Sequence, residues 1–117
     1  MTPEAFHALV MALPGVEEGT SYGRPAYKVA GKFLTRLRDE DASAVLQEVG
    51  FDEREMLIEA APQTFHFTEH YRNYPIVLAR IAHLGPEELR GFLERRWRKI
   101  APRAAVKAWE AARAGEA

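Results

Sequence analysis

Cysteine is absent from this 117-residue chain, which excludes disulfide frameworks, thiol nucleophiles and thiolate metal sites. A thiol-free chain fits a reducing compartment, and the expected location is cytoplasmic. No uninterrupted apolar run approaches the roughly 18 residues of a membrane span. The N-terminus also lacks the basic-then-apolar layout of a secretory signal, so membrane partners and export are not expected. Internal repeats and low-complexity stretches are missing too. No G-x-S-x-G elbow, P-loop or dinucleotide fingerprint occurs in the sequence. The carboxylate pairs Glu17-Glu18 and Asp39-Glu40-Asp41 fall in turns, where nothing buries them enough to raise a pKa for acid catalysis. The chain therefore reads as non-enzymatic, with no catalytic residue, metal or cofactor expected.

What is present suits a folded domain. Hydrophobic residues make up 47% and charged residues 28%, which argues against disorder and fibrous repeats. The length matches one domain spanning residues 1–117. A formal net charge of −1 hides an uneven distribution: residues 1–60 hold six Lys/Arg against eleven Asp/Glu, and the remainder ten against six. Between Arg24 and Arg38 there are five cations and no acid; between Arg90 and Arg103 there are six against Glu94 alone. Near neutrality argues against a polycation that coats nucleic acid indiscriminately, but it leaves room for local anion-binding surfaces.

Periodicity gives the element order. Thr2 as N-cap, Pro3 in the first turn and Phe6, Leu9, Val10 and Leu13 at helical spacing predict a helix stopped by Pro14-Gly15. Alternation predicts strands over Arg24–Val29, Phe33–Leu37 and Ala44–Val49, with a short one at Thr20–Tyr22. Asp52 and Glu55 have capping-box spacing and Phe51 can staple on Met56, predicting a helix over Glu53–Ala61. Thr64–Tyr71 and the apolar Ile76–Ile81 read as a hairpin, the latter as a central strand. Gly85-Pro86 opens a helix whose buried stripe is Leu89, Phe92, Leu93, Trp97 and Ile100, and Pro102 separates it from a last helix over Arg103–Ala114. The order α-β(3-4)-α-β(2)-α-α points to an α+β two-layer sandwich, an antiparallel sheet covered on one face by helices.

The strip from Arg24 to Arg38 carries the main functional reading. If Tyr27, Val29, Phe33 and Leu37 share the buried face, the bend must hold an odd number of residues, and Ala30-Gly31-Lys32 satisfies this. Lys28 then lies opposite Leu34, Ala26 opposite Arg36 and Arg24 opposite Arg38, so all four cations face solvent. Like charges opposite one another favour an anionic partner, with DNA phosphate as the leading candidate. The competing account is local neutralisation by Asp39, Glu40, Asp41 and Glu48. Arg72 and the cluster Arg95, Arg98 and Lys99 are weaker phosphate candidates; the helical cluster also reads as a solvated face with a Glu94–Arg98 pair. Tyr22, Tyr27, Tyr71 and Tyr74 could stack on bases or seal local packing. His66-Phe67-Thr68-Glu69-His70 matches the H-x-x-E-H protease string, but in an extended strand the two histidines stand about 13 Å apart, too far to share a zinc ion.

A family resemblance enters on several segments. Leu13-Pro14-Gly15-Val16, the stretch from Pro25 to Phe33, Glu69-His70-Tyr71-Arg72 leading into Ile76-Val77-Leu78, and Trp97 to Pro102 make the chain resemble the MmcQ/YjbR family of small bacterial domains. The resemblance spans nearly the whole chain. It implies an α-β(3)-α-β(2)-α fold of the CyaY-like or secretion-chaperone-like kind and a DNA-binding role, and it implies no catalytic set. The combined expectation is a binding domain contacting DNA through Arg24, Lys28, Arg36 and Arg38. The alternative is a protein-interaction or self-association module without nucleic-acid binding.

Overall fold

The computed structural model describes residues 1–116. Helix α1, Pro3–Met11, starts at Thr2, whose hydroxyl accepts from the Ala5 amide at 3.1 Å, and it buries Phe6 and Val10. Gly15 then takes a φ of +74°, a conformation open to glycine, and frees the preceding carbonyl to point inward. The indole N–H of fully buried Trp97 donates to that Pro14 carbonyl at 2.8 Å. A connection that reads only as a helix stop in the sequence is therefore also a tertiary anchor.

Strands β1 (Val16–Ser21), β2 (Arg24–Val29) and β3 (Lys32–Thr35) form one antiparallel sheet in the order β1-β2-β3. Strand β4 (Ser43–Gln47) leads into helix α2 (Phe51–Ala60), followed by β5 (Phe65–His66) and β6 (Ile76–Arg80). These last strands form a second sheet, β4-β6-β5, with the apolar β6 in its centre. Helices α3 (Pro86–Ile100) and α4 (Arg103–Glu116) complete the chain. Among the described residues the fold is thus α+β, with four helices and two small antiparallel sheets, an arrangement compatible with a two-layer sandwich. Instead of one continuous sheet there are two, joined where Leu37 bridges Ala44. There the Val45 amide donates to the Arg36 carbonyl at 3.0 Å and the Arg38 amide to the Ser43 carbonyl at 2.8 Å.

Helices α1 and α3 cover one face of the sheets. The core between them contains Phe6, Leu34, Leu46, Val77, Leu89 and Trp97, all essentially inaccessible. The α3 stripe is as expected: Leu89, Phe92, Leu93, Trp97 and Ile100 are buried, and Glu88 accepts from the Gly85 amide at 3.1 Å to cap the helix. On the face away from these helices a smaller cluster forms from Val45, Ile76 and Leu78, with Phe33 and Tyr71 half-buried beside it.

Four local expectations are corrected, the first being β1, which runs Val16–Ser21 instead of Thr20–Tyr22 and places Glu17 and Glu18 in a strand opposite Lys28 and Tyr27, not in a turn. The β2–β3 bend holds two residues, Ala30 and Gly31, with φ +52° and +78°, so Val29 faces Lys32 and Lys28 faces Phe33, not Leu34. Phe33 therefore joins the open-face cluster, since cross-strand partners share a face. A β-bulge follows, because Tyr27 pairs with Thr35 and Leu34 is the extra residue. That one-residue insertion undoes the one-residue slip at the turn and returns Leu37 to the core and Arg36 to the open face. The cations come close to the expected side by a route opposite to the expected one.

Helix α2 is capped by Gly50 with no side-chain bond, and Phe51 and Met56 are 53% and 68% exposed, so neither the capping box nor the staple forms. The Phe51 ring is instead 5.0 Å from the Arg54 guanidinium, whose other ring contact, Phe67, lies at 4.0 Å. The Thr64–Tyr71 strand is cut to Phe65–His66, followed by a 3-10 turn at Glu69–Tyr71. After the turn Arg54 gathers the chain leading into β6: Nη1 donates to the carbonyls of Tyr71, Tyr74 and Ile76, and Nη2 to that of Arg72. A segment whose carbonyls converge on one guanidinium cannot run as a straight strand.

Candidate functional site

A groove of about 670 Å3 opens over the joint between the two sheets, on the face away from α1 and α3. Phe33, Arg36, Val45, Gln47 and Ile76 form its floor; Ser21, Tyr22 and Arg24 stand on the β1–β2 side, and His70, Tyr71 and Tyr74 on the loop before β6. None of these lining residues is acidic. The loop is held by Arg54, which is 7% exposed and supplies donors to four carbonyls. Burial lowers the guanidinium pKa, and the Arg72 charge adds to this. Arg54 is a positioning residue that composition alone did not single out. Its signal was its isolation among Asp52, Glu53, Glu55 and Glu59 on α2.

The expected cations separate into two groups. Arg36 lines the groove and, among the described residues, has no carboxylate within ion-pairing distance; the same holds for Lys28, which shares the open face through its partner Phe33. Arg24 also lines the groove, 3.6 Å from Glu40, with both side chains about half exposed. Arg38, only 11% exposed at its side chain, is committed to Glu40 and Asp41 at 3.0 and 3.2 Å. The hydrogen bond from Arg38 holds the Glu40 carboxyl below its ordinary pKa. The local neutralisation weighed as the competing account thus takes Arg38 fully, Arg24 in part and Arg36 not at all. Glu48 instead serves α3.

Arg72 and Glu69 bond each other at 2.7 and 2.8 Å, which lowers the Glu69 pKa and raises that of Arg72. On α3, Arg95 grips Glu53 at 2.8 and 3.1 Å and donates to the Glu48 carbonyl, while Lys99 lies 3.4 Å from Glu48. Arg98 pairs with Glu110 of α4 at 3.4 Å, and Glu94 with Arg113 at 2.8 Å, so the expected Glu94–Arg98 pair is replaced by two contacts between helices. Arg96 is tied to Glu48 at 2.7 Å and to the Phe33 carbonyl at 2.9 Å. Burial alone would raise the Glu48 pKa; the Arg96 hydrogen bond, aided by Lys99, overrides it and leaves the carboxyl below its ordinary 4.5.

Of the four tyrosines, Tyr22, Tyr71 and Tyr74 line the groove. Tyr27 lies on the helix-covered face, edge-on to Phe6 and hydrogen-bonded to His7 at 2.9 Å. Burial, with Glu18 nearby, raises its pKa. The H-x-x-E-H residues divide between β5 and the 3-10 turn: His66 meets Ser43, and His70 packs edge-on to Tyr71 at 4.7 Å. Ser43 Oγ at 2.9 Å and Asp41 Oδ2 at 3.6 Å both face His66 Nε2. A proton relay needs the carboxylate on the other ring nitrogen, so this trio, which sequence spacing did not reveal, is a packing contact. Burial lowers the His66 pKa below 6.5, the Arg80 and Arg38 charges add to that, and Asp41 opposes it.

A family model described as YjbR matches residues 11–99. The chain belongs to the YjbR family. The YjbR match runs from the end of α1 to the last turn of α3, so it includes both sheets and every residue of the groove, and it leaves α4 outside. No curated protein and no solved structure matches this YjbR chain.

Proposed function

We propose that this YjbR domain is a non-enzymatic DNA-binding module that contacts phosphates through the open face of its sheets, with Arg24, Lys28 and Arg36 as the contacting cations. The observation that carries this reading is Arg36, which stands in an acid-free groove with no carboxylate partner among the described residues. A guanidinium left unpaired beside apolar floor residues is matched by an external anion, and phosphate accepts its forked donors well. Arg24 shares its charge with Glu40 but lines the groove; Arg72, Arg95, Arg98 and Lys99 contribute less, because they have carboxylate partners within the chain and stand outside the groove.

Fluorescence titration against labelled DNA at about 50 and 200 mM salt tests this reading. Three phosphate contacts predict an affinity loss across that range of about fortyfold for a duplex and about twentyfold for a single strand. The double variant Lys28→Glu/Arg36→Glu should abolish binding; binding that persists in this variant and ignores salt would overturn the proposal. A second reading rests on Phe51 and Met56, each exposed on α2, which a protein partner or a second copy would cover. It takes precedence if the wild-type domain self-associates at micromolar concentration and binds no DNA.

A further inference from the structure

The groove displays aromatic rings that packing does not explain. Tyr22 is fully exposed at the β1–β2 tip and has a φ of +51°; Tyr74 is 55% exposed on a separate loop. A positive φ disfavours a bulky side chain, and a two-residue hairpin turn with both φ values positive normally takes Asn, Asp or Gly first. Tyr22 gains no burial in return. Backbone preference and packing both oppose tyrosine at this position, a conflict that points to a role outside folding. The two rings converge on one groove with Arg24 and Arg36, and the lining contains no acid.

Resting on the nucleic-acid reading above, we infer that the occupant is a single-stranded segment whose unpaired bases stack on Tyr22 and Tyr74 while Arg24 and Arg36 hold its phosphates. In a duplex each base face is covered by its neighbours, so exposed rings reach a base face only along an unpaired strand. Every base offers such a face, so the contact tolerates any sequence. The cavity, about 670 Å3, lies within the roughly 300–1,000 Å3 of pockets that enclose small organic groups.

The test is an anisotropy titration of a labelled oligothymidylate of about 16 nucleotides and a duplex of the same length. It compares the wild type with Tyr22→Asn, Tyr74→Ala and Arg36→Glu at two salt concentrations. Asparagine tolerates the positive φ, so Tyr22→Asn removes the ring without endangering the fold. The wild type should bind the single strand about tenfold more tightly than the duplex. Each tyrosine variant should weaken single-strand binding about tenfold with its salt dependence kept, and Arg36→Glu should lower both affinity and salt dependence. If the duplex binds as tightly, or both tyrosine variants bind like the wild type while Arg36→Glu still weakens binding, this inference fails and the phosphate reading stands. If free thymidine monophosphate displaces the oligomer at equal nucleotide concentration, the site takes mononucleotides and the inference also fails. No binding of either DNA by the wild type overturns both.

Discussion

Arg54 shows how one residue can shape a site it does not line with its charge. Its four carbonyl bonds and two ring contacts fix the loop that carries His70, Tyr71 and Tyr74. Lysine cannot reproduce the planar fork. Arg54→Lys should therefore lower stability by about 2 kcal/mol in urea denaturation, and hydrogen exchange should accelerate across residues 69–76. Glu48 makes a second residue-scale prediction. Its carboxyl is held below 4.5 by Arg96 and Lys99 against the effect of burial. A carboxyl depressed in the folded state adds stability above its unfolded pKa, and that stability is lost as pH falls through the folded value. Glu48→Gln should cost about 2 kcal/mol near neutrality, and the gap to the wild type should close in melts taken progressively below pH 4.5. A gap that stays constant down to strongly acidic pH would show that Glu48 acts by packing alone. The isolation of Arg54 among acids was visible in the sequence, but the partners of neither residue were, because they lie 17 or more positions away.

At the scale of elements, the β2–β3 hairpin separates what pattern can and cannot reveal. Its strands were legible from alternation, and the buried stripe of α3 was legible residue by residue, because both follow from local periodicity. The bend and the bulge were not. A two-residue turn reverses the faces of everything after it, and the extra residue Leu34 reverses them back, so hydrophobic pattern at the far end cannot distinguish the pair from a three-residue bend. The bulged strand is held by Thr35, whose hydroxyl donates to the Val45 carbonyl at 2.7 Å across the joint between sheets. Only the second sheet supplies that acceptor. Ala30 occupies the first turn position at φ +52°, where asparagine is better tolerated. Ala30→Asn should stabilise the domain by about 0.5 kcal/mol, read as a higher urea midpoint at unchanged slope. An unchanged or lower midpoint would argue against this turn.

At the scale of the whole molecule, the opposed charges of the two halves of the chain resolve into contacts between them. Glu48 and Glu53, from the acidic half, take up Arg95, Arg96 and Lys99 of the basic half. Helix α4 is tied to α3 by the Arg98–Glu110 and Arg113–Glu94 pairs, and the Arg98 and Arg113 guanidiniums lie over the Trp109 ring at 4.8 and 4.5 Å. The α3 cluster that looked suited to phosphate is thus largely spent on internal pairing, whereas Lys28 and Arg36 on the uncovered sheet face have no carboxylate partner among the described residues. The α+β class, most of the elements, the core stripe of α3 and the family follow from residue order alone, since these rest on short-range periodicity and on residue types at fixed spacing. Which arginines remain free, which tyrosines share a groove and where the sheet divides follow only from long-range packing. Those outcomes depend on which distant carboxylate or carbonyl reaches each side chain first, and no local pattern encodes that competition.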